Sequence, residues 1–516
     1  MYIYLIGALT IKPYNFLGRP WEFINYNSVD FFDSMASNIK MEIRGRKITR
    51  VLPRQNDFIN DTWITDKVRF GFDSLNAQRL CNFFKITSLN TIYDVGSSQS
   101  IQYLSLEIFF FFFLKKYSKK SASIGGIYGL ADSLITSEAL ILFKDFLTKL
   151  GSANLMPSLF NSFNFVRNLR RSSYIFKNNL QNVLSADLFI FVGLNPRLES
   201  PIINLKLRKI FLKNSTKFFS FTPLNNPNFD VKFLGNSLTT FLMFCEGRHQ
   251  FSSNIFNYKS FTILLGSSIF YRNDVSIFLG LLFKMNKLLF NFSFYSLYNR
   301  LTHLLVLEYG FVPCKFTNQR VLFSQKFRSN LIFNFNASNY LPEHSEIHSV
   351  SLYKDWALKD INIFFGSFGI NSLKLYDYIF PLKHIIESGG TFLSILGLKE
   401  IVPIALTSLK NVQHFDSFYS LLLAYWLRFN FSSLICNKNK NHSNILRLNQ
   451  LGVFNSISSV DVEASSIIHK LRGLLIKNLV SSVSVNPFIT DEYTSNSILM
   501  QRAKKSYLSS YPSTYF

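Results

Sequence analysis

The chain has 516 residues, 48% of them hydrophobic, enough for two to four domains with sizeable cores. Its 55 Lys+Arg against 31 Asp+Glu leave +24, which points to an acidic partner or an anionic surface. The positive charges are scattered, and no basic stripe with interleaved aromatics argues for nucleic acid. The 57 Phe and 24 Tyr, with abundant Asn, Lys and Ile, share A/T-rich codons, so this composition suggests an A/T-biased genome such as an organelle's.

In chain order, residues 38–53 read as a β-hairpin, alternating over Lys40–Arg44, turning at Gly45 and continuing through Ile48, Val51 and Leu52. Residues 56–80 turn polar and helical. The run Ile108–Leu114, IFFFFFL, is under ten residues and preceded by Glu107, so it is a buried strand or helix and too short for a membrane span, which needs about 20. The first nine residues lack the basic flank of a signal peptide, and no transmembrane helix or transit peptide is recognisable. Gly125-Gly126-Ile127-Tyr128-Gly129 is not GxGxxG and lacks a clean strand–helix context, so a close-packed turn is expected there. Ser137–Leu150 has helical spacing, with Ser137 or Thr136 as cap.

The organising element is Ala186–Pro201, ADLFIFVGLNPRLESP. Leu188–Val192 is a continuous apolar run, as in a strand covered on both faces. Gly193 permits a tight turn, Asn195-Pro196 shapes the loop, and Ile202–Ile210 continues as a helix. Strand–glycine units recur at Ser260–Ser268 with Gly266 and at Asp360–Gly369 with Gly366, and YDYIFP ends in Pro381. Such units, with helical patterns such as Val275–Phe290 between them, predict an α/β architecture of doubly wound, mainly parallel sheets over residues 180–400, with the glycines at strand carboxyl ends, where ligands bind in such folds. Residues 436–447 read as a linker and Ile467–Leu479 as a helix in a C-terminal appendage.

Candidate chemistry is sparse. Cys81, Cys245, Cys314 and Cys436 are widely spaced, which predicts buried hydrophobes and no disulfide framework, zinc site or iron–sulfur site built by this chain alone. His344 and His348 flank Glu346 at i, i+4 without forming HExxH, and Leu341-Pro342 favours an exposed loop. Asp377, inside an apolar strand signal, is either functional or a structural hydrogen-bonding group. No Walker loop and no catalytic triad can be nominated.

These segments resemble the large iron–sulfur subunit of respiratory complex I, the NADH:ubiquinone oxidoreductase. The matching residues are Gly7-Ala8-Leu9-Thr10 and Lys12-Pro13 (VGALTSKP in the family), Arg19-Pro20-Trp21-Glu22, Ser28-Val29-Asp30 with Ser37-Asn38-Ile39, Arg50–Arg54, Asn60–Leu80, Val192–Pro201 and Leu264–Asp274, and the tail Phe488–Ala503. The resemblance implies a molybdopterin oxidoreductase-like fold with a small N-terminal β-rich domain. It implies a structural role on the hydrophilic arm, on the matrix side of the mitochondrial inner membrane.

In the family a cysteine opens CPVGALT and ligates a 4Fe–4S cluster; Tyr4 stands there, and a phenol does not replace a thiolate on iron in the usual way. The chain is therefore expected to be the second part of a divided subunit. It would have no catalytic residue and no cofactor or metal of its own, with the iron–sulfur clusters in a partner chain. The expected organisation is an interface segment at 1–22 (Gly7, Ala8, Leu9, Thr10, Lys12, Pro13, Arg19, Pro20 and Trp21), a small cluster-free β-rich domain at 23–85, the α/β region at 86–400 and the appendage at 401–516. The rivals are a molybdopterin-dependent oxidoreductase that has kept its cofactor and, against the missing GxGxxG, a dinucleotide-binding enzyme.

Overall fold

The computed structural model describes residues 14–86, 92–94, 124–311, 329–335, 361–412 and 488–510, apart from short breaks within those ranges. Tyr4 and the segment Gly7–Pro13, the apolar run 108–114, Asp377, the histidine pair 344/348, Cys314 and Cys436, the linker 436–447 and the helix 467–479 lie outside the described residues.

The chain first builds an antiparallel sheet from β1 (Ile24–Val29), β2 (Asn38–Arg44) and β3 (Lys47–Pro53), with β2 central. The hairpin forms as its alternation requires, and Gly45 takes φ +61° at the turn. A short helix, Asp66–Phe70, and a 3-10 turn, Gly71–Asn76, follow. Next in order come β4 (Phe84–Ile86), β5 (Ile92–Asp94), β6 (Ile124–Ala131), β7 (Asn154–Pro157), β8 (Leu188–Val192), β9 (Lys217–Ser220), β10 (Lys232–Phe233), β11 (Phe261–Leu265), β12 (Phe292–Ser296), β13 (Ser329–Phe335), β14 (Ile361–Gly366) and β15 (Tyr378–Pro381), then the hairpin β16 (Gly390–Leu393) and β17 (Lys399–Val402).

Two larger sheets result. One is wholly parallel, ordered β10-β9-β8-β11-β12. The other runs β5-β4-β15-β14-β13-β6-β7 and is parallel except where β4 and β5 join its edge antiparallel. The expected doubly wound, mainly parallel architecture is therefore present, and Gly193, Gly266 and Gly366 stand at the carboxyl ends of β8, β11 and β14. Every residue of β8 and of β11 is buried, as a parallel strand covered on both faces requires.

One local reading is corrected. Gly125–Gly129 is not a turn but lies within β6, and a helix, Ser137–Lys149, follows it in a strand–helix unit. Here the glycine serves packing: a Cβ on Gly129 would lie 2.1 Å from Leu147 Cδ1, so its absence lets this helix sit close on the sheet. The helix is capped by Thr136, whose Oγ1 accepts the Ala139 N–H at 3.4 Å.

The tail returns to the body. Helices Glu492–Asn496 and Ile498–Ser510 pack by the Gly71–Asn76 turn, where Asp73 Oδ2 accepts the Leu499 N–H at 3.2 Å. The small sheet and its flanking loops also contribute to both main cores: Met35 and Ile59 lie in the core of the five-stranded sheet, while Phe31 and Ile39 join that of the seven-stranded sheet.

Candidate functional site: the crevice between β8 and β11

In the five-stranded sheet the chain leaves β8 toward β9 on one side, then returns to add β11 on the other. Connections therefore diverge between β8 and β11, and the crevice outside their carboxyl ends is where an open α/β sheet binds a ligand. Two loops line it: Gly193-Leu194-Asn195 after β8 and Gly266-Ser267 after β11.

The chain closes this crevice itself. The ladder continues past the strand ends, with the Gly266 N–H donating to Val192 O at 2.9 Å. Gly193 turns with φ +60°, open to glycine at little cost. A Cβ on Gly266 would lie 1.8 Å from Gly193 O, so the two loops meet backbone to backbone. Asn195-Pro196 starts a single turn, Pro196–Glu199, with proline at a first-turn position where its missing N–H costs nothing. That turn directs Glu199 back into the crevice. Its Oε1 accepts the Asn195 N–H at 3.2 Å, and its Oε2 accepts the Ser267 N–H at 3.3 Å and the Ser267 Oγ–H at 3.1 Å. The loop after β9 is tied in as well: Thr222 N–H donates to Ser220 Oγ at 3.0 Å and Thr222 Oγ1–H to Leu194 O at 3.5 Å.

Burial raises the Glu199 carboxyl to about 7, against the lowering effect of these hydrogen bonds and of Lys67. Two further buried carboxyls feel the same Lys67. Asp30, at about 6, accepts from Phe32 N–H at 2.8 Å and from Thr65 Oγ1–H at 2.5 Å. Asp33, at about 7, is raised by burial and then by Asp30. Lys67, in the short helix Asp66–Phe70, thus acts on the two acids that follow β1 and on Glu199 at the switch point.

A second buried constellation lies at the carboxyl end of the seven-stranded sheet. Arg79 Nη2 pairs with Glu387 Oε2 at 2.5 Å, with side chains 5% and 7% exposed. The guanidinium lies 5.0 Å from the Phe368 ring centroid. His384 caps the turn Ile385–Ser388, stacks on Tyr493 at 5.0 Å and is held neutral by burial and then by Arg79. Sequence reading assigned no role to Arg79, Glu387, His384 or Glu199. The available signal was that Arg79 and Glu199 fall inside the family-like stretches Asn60–Leu80 and Val192–Pro201.

Of the expected interface residues, Arg19, Pro20 and Trp21 are described and exposed, Trp21 at 78%. Phe16 and Ile24 are exposed beside them. Among the described residues no group of three His, Cys, Asp or Glu is arranged to hold a metal, and no helix is long and apolar enough to cross a membrane. Cys81 and Cys245 are free thiols, and burial pushes Cys245 up to about 12, so it stays protonated at neutral pH.

Comparison with known proteins agrees with this fold. The molybdopterin oxidoreductase family model matches residues 111–400, and a model described as NADH-ubiquinone oxidoreductase NDSU1/NuoG-like, 4Fe-4S domain, matches residues 24–73. The NADH-ubiquinone oxidoreductase 75 kDa subunit of Reclinomonas americana is 28% identical over 76% of this chain and 56% of its own length. The corresponding 78 kDa mitochondrial subunit of Candida albicans is 35% identical over 45% of this chain and 31% of its own. An NADH-quinone oxidoreductase subunit of Rickettsia conorii is 24% identical over 96% of this chain and 69% of its own. The chain thus spans about half or less of the first two. Among solved structures, acetylene hydratase from Pelobacter acetylenicus aligns over 78% of this chain with TM-score 0.51 at 10% identity, a likeness of fold alone.

At neither of the two places these models point to do the described residues leave a site open for the group. Residues 24–73 contain no cysteine and no histidine, so the segment matching a 4Fe–4S domain has no thiolate or imidazole with which to hold iron. At the switch point, the donors that could meet a phosphate of a pterin nucleotide are taken by Glu199, and the loops that would have to part are in backbone contact.

Proposed function

The chain belongs to the molybdopterin oxidoreductase family, its relatives being large subunits of NADH:ubiquinone oxidoreductase, and on that premise we propose that it serves as the cofactor-free body of that subunit in a mitochondrial complex. Electrons would pass from NADH toward ubiquinone through iron–sulfur clusters held by a partner chain, not through this one. The carrying observation is the crevice filled by Glu199, which leaves the fold's ligand position to the protein's own side chain. What the chain contributes is surface and dryness: a packed apolar body beside clusters excludes water and lowers the local dielectric, and both tune cluster potential.

The partner would be the iron–sulfur part of the same subunit, docking on Gly7, Ala8, Leu9, Thr10, Lys12, Pro13, Arg19, Pro20 and Trp21, on the matrix side of the inner membrane. The exposed Phe16, Trp21 and Ile24, near one another in the chain, support this reading, since they leave large apolar side chains for a partner to bury. The test is to tag the chain in its own mitochondria and isolate it under native conditions. NADH dehydrogenase activity and iron–sulfur polypeptides should co-isolate with it. Isolation free of both would refute the assignment. Molybdenum or tungsten near one per chain would favour the rival, a molybdopterin-dependent oxidoreductase.

A further inference from the structure

Resting on the reading of the crevice as cofactor-free, we propose that Glu199 is an internal ligand: its carboxyl group fills, and holds shut, an oxyanion cradle formed jointly by the loops after β8 and β11. The cradle is a real binding geometry and not an incidental hydrogen bond, because each carboxyl oxygen belongs to a different loop. Oε1 takes the Asn195 N–H, from the β8 side, at 3.2 Å. Oε2 takes the Ser267 N–H and Oγ–H, from the β11 side, at 3.3 and 3.1 Å. These loops diverge in topology, so one planar group joins chain segments 68 residues apart in sequence.

Backbone donors converging on oxygen at strand carboxyl ends are how this class of sheet receives anionic ligands. Here the ligand is covalently supplied. Pro196 and Pro201 bracket the short turn that carries it, and Glu199 itself is buried at 2% exposure. The arrangement explains how the fold keeps its strand–glycine–helix geometry without a bound group. The backbone donors that a ligand would satisfy still have an acceptor, and such buried donors are costly to leave unmet.

Removing the side chain should expose a site for a small carboxylate. Acetate is, atom for atom, the fragment that Glu199→Ala deletes. The experiment uses the full chain as wild type, Glu199→Ala and Glu199→Gln, melted in acetate and in chloride at equal ionic strength. Glu199→Ala should melt well below wild type, and acetate should restore about half or more of the loss along a saturable curve, as expected when a ligand binds only the folded state. Wild type and Glu199→Gln, in which a side chain still occupies the cradle although the Gln NH2 cannot accept a hydrogen bond, should not respond beyond the chloride control. An alanine variant that responds to acetate no more than to chloride, or an equal response in all three proteins, would overturn the proposal. If Glu199→Ala does not stay folded, its refolding yield in acetate against chloride becomes the readout, and equal yields overturn the idea. Failure of the underlying reading looks different: it appears as a pterin or molybdenum in the wild-type protein, whatever acetate does.

Discussion

Replacing Gly266 by alanine adds one methyl group and tests how tightly the switch point is closed. The new Cβ would lie 1.8 Å from Gly193 O, 2.5 Å from Gly193 C and 2.7 Å from Leu194 Cα, all backbone atoms that cannot rotate away. Ordinary contact begins at 3.4 Å, so the ends of β8 and β11 must part by about 1.5 Å. That breaks the 2.9 Å bond from Gly266 N–H to Val192 O and pulls Ser267 off Glu199. One buried backbone donor and two donors to a carboxyl group lose their acceptors, for a total of ~3–5 kcal/mol. The reduced freedom of the unfolded chain offsets only ~0.4–1 kcal/mol of this. For a cooperative unit of about 150–250 residues, each kcal/mol moves the midpoint ~2–4 °C, so the fall should be on the order of 10 °C. Gly280 is the control. It sits in the helix Val275–Leu288 with nothing within 4 Å of an added Cβ, so alanine there should be neutral or gain up to ~1 kcal/mol. Thermal and urea unfolding of the two variants decide the matter. A Gly266→Ala protein melting within about a degree of wild type would refute the closed crevice.

Other expectations follow from the buried charges and the exposed edge. Glu387→Gln or Arg79→Met should each cost ~3–5 kcal/mol by urea unfolding, because one charge of the pair is left buried, whereas the double variant should cost less than their sum; strict additivity would show that the two groups do not interact. Burial raises the folded-state pKa of Glu199 from 4.5 to about 7, so the native state holds its proton more tightly and this contribution is present at acidic pH and lost as pH rises through about 7. The stability advantage of wild type over Glu199→Gln should therefore shrink by ~2–3 kcal/mol between pH 5 and 8, and a difference flat with pH would contradict that. Trp21→Ala should change the chain's own melting by under ~0.5 kcal/mol, since the ring is 78% exposed, yet weaken capture of the iron–sulfur partner; unchanged capture would remove Trp21 from the interface.

The scaffold was legible where burial on both faces made strands continuously apolar, as in LFIFV and FTILL, each followed by glycine. The same logic misread Gly125–Gly129, because glycine disfavours strand interiors and only the overlying Leu147 shows why one is needed at position 129. Glu199 could not be recognised locally. It looks like one more acid in a helical stretch, and what makes it special is a serine 68 residues later that topology brings to the same crevice. Arg79 and Glu387 are separated by 308 residues, so their pairing is invisible to any windowed reading. Nothing in the local sequence marks Asp30 or Asp33, and only the fold brings Lys67 to act on both and on Glu199.

The central claim is that this chain lends its complex a body and no redox centre. The direct measurement is the metal and sulfide content of the full-length chain, purified without its partners and checked for folding by its thermal transition. Iron, acid-labile sulfide, molybdenum and tungsten should all lie far below one per chain, while the complex isolated through the same tag carries stoichiometric iron and sulfide. Iron and sulfide at cluster stoichiometry, or molybdenum or tungsten near one per chain, in the partner-free protein would contradict it.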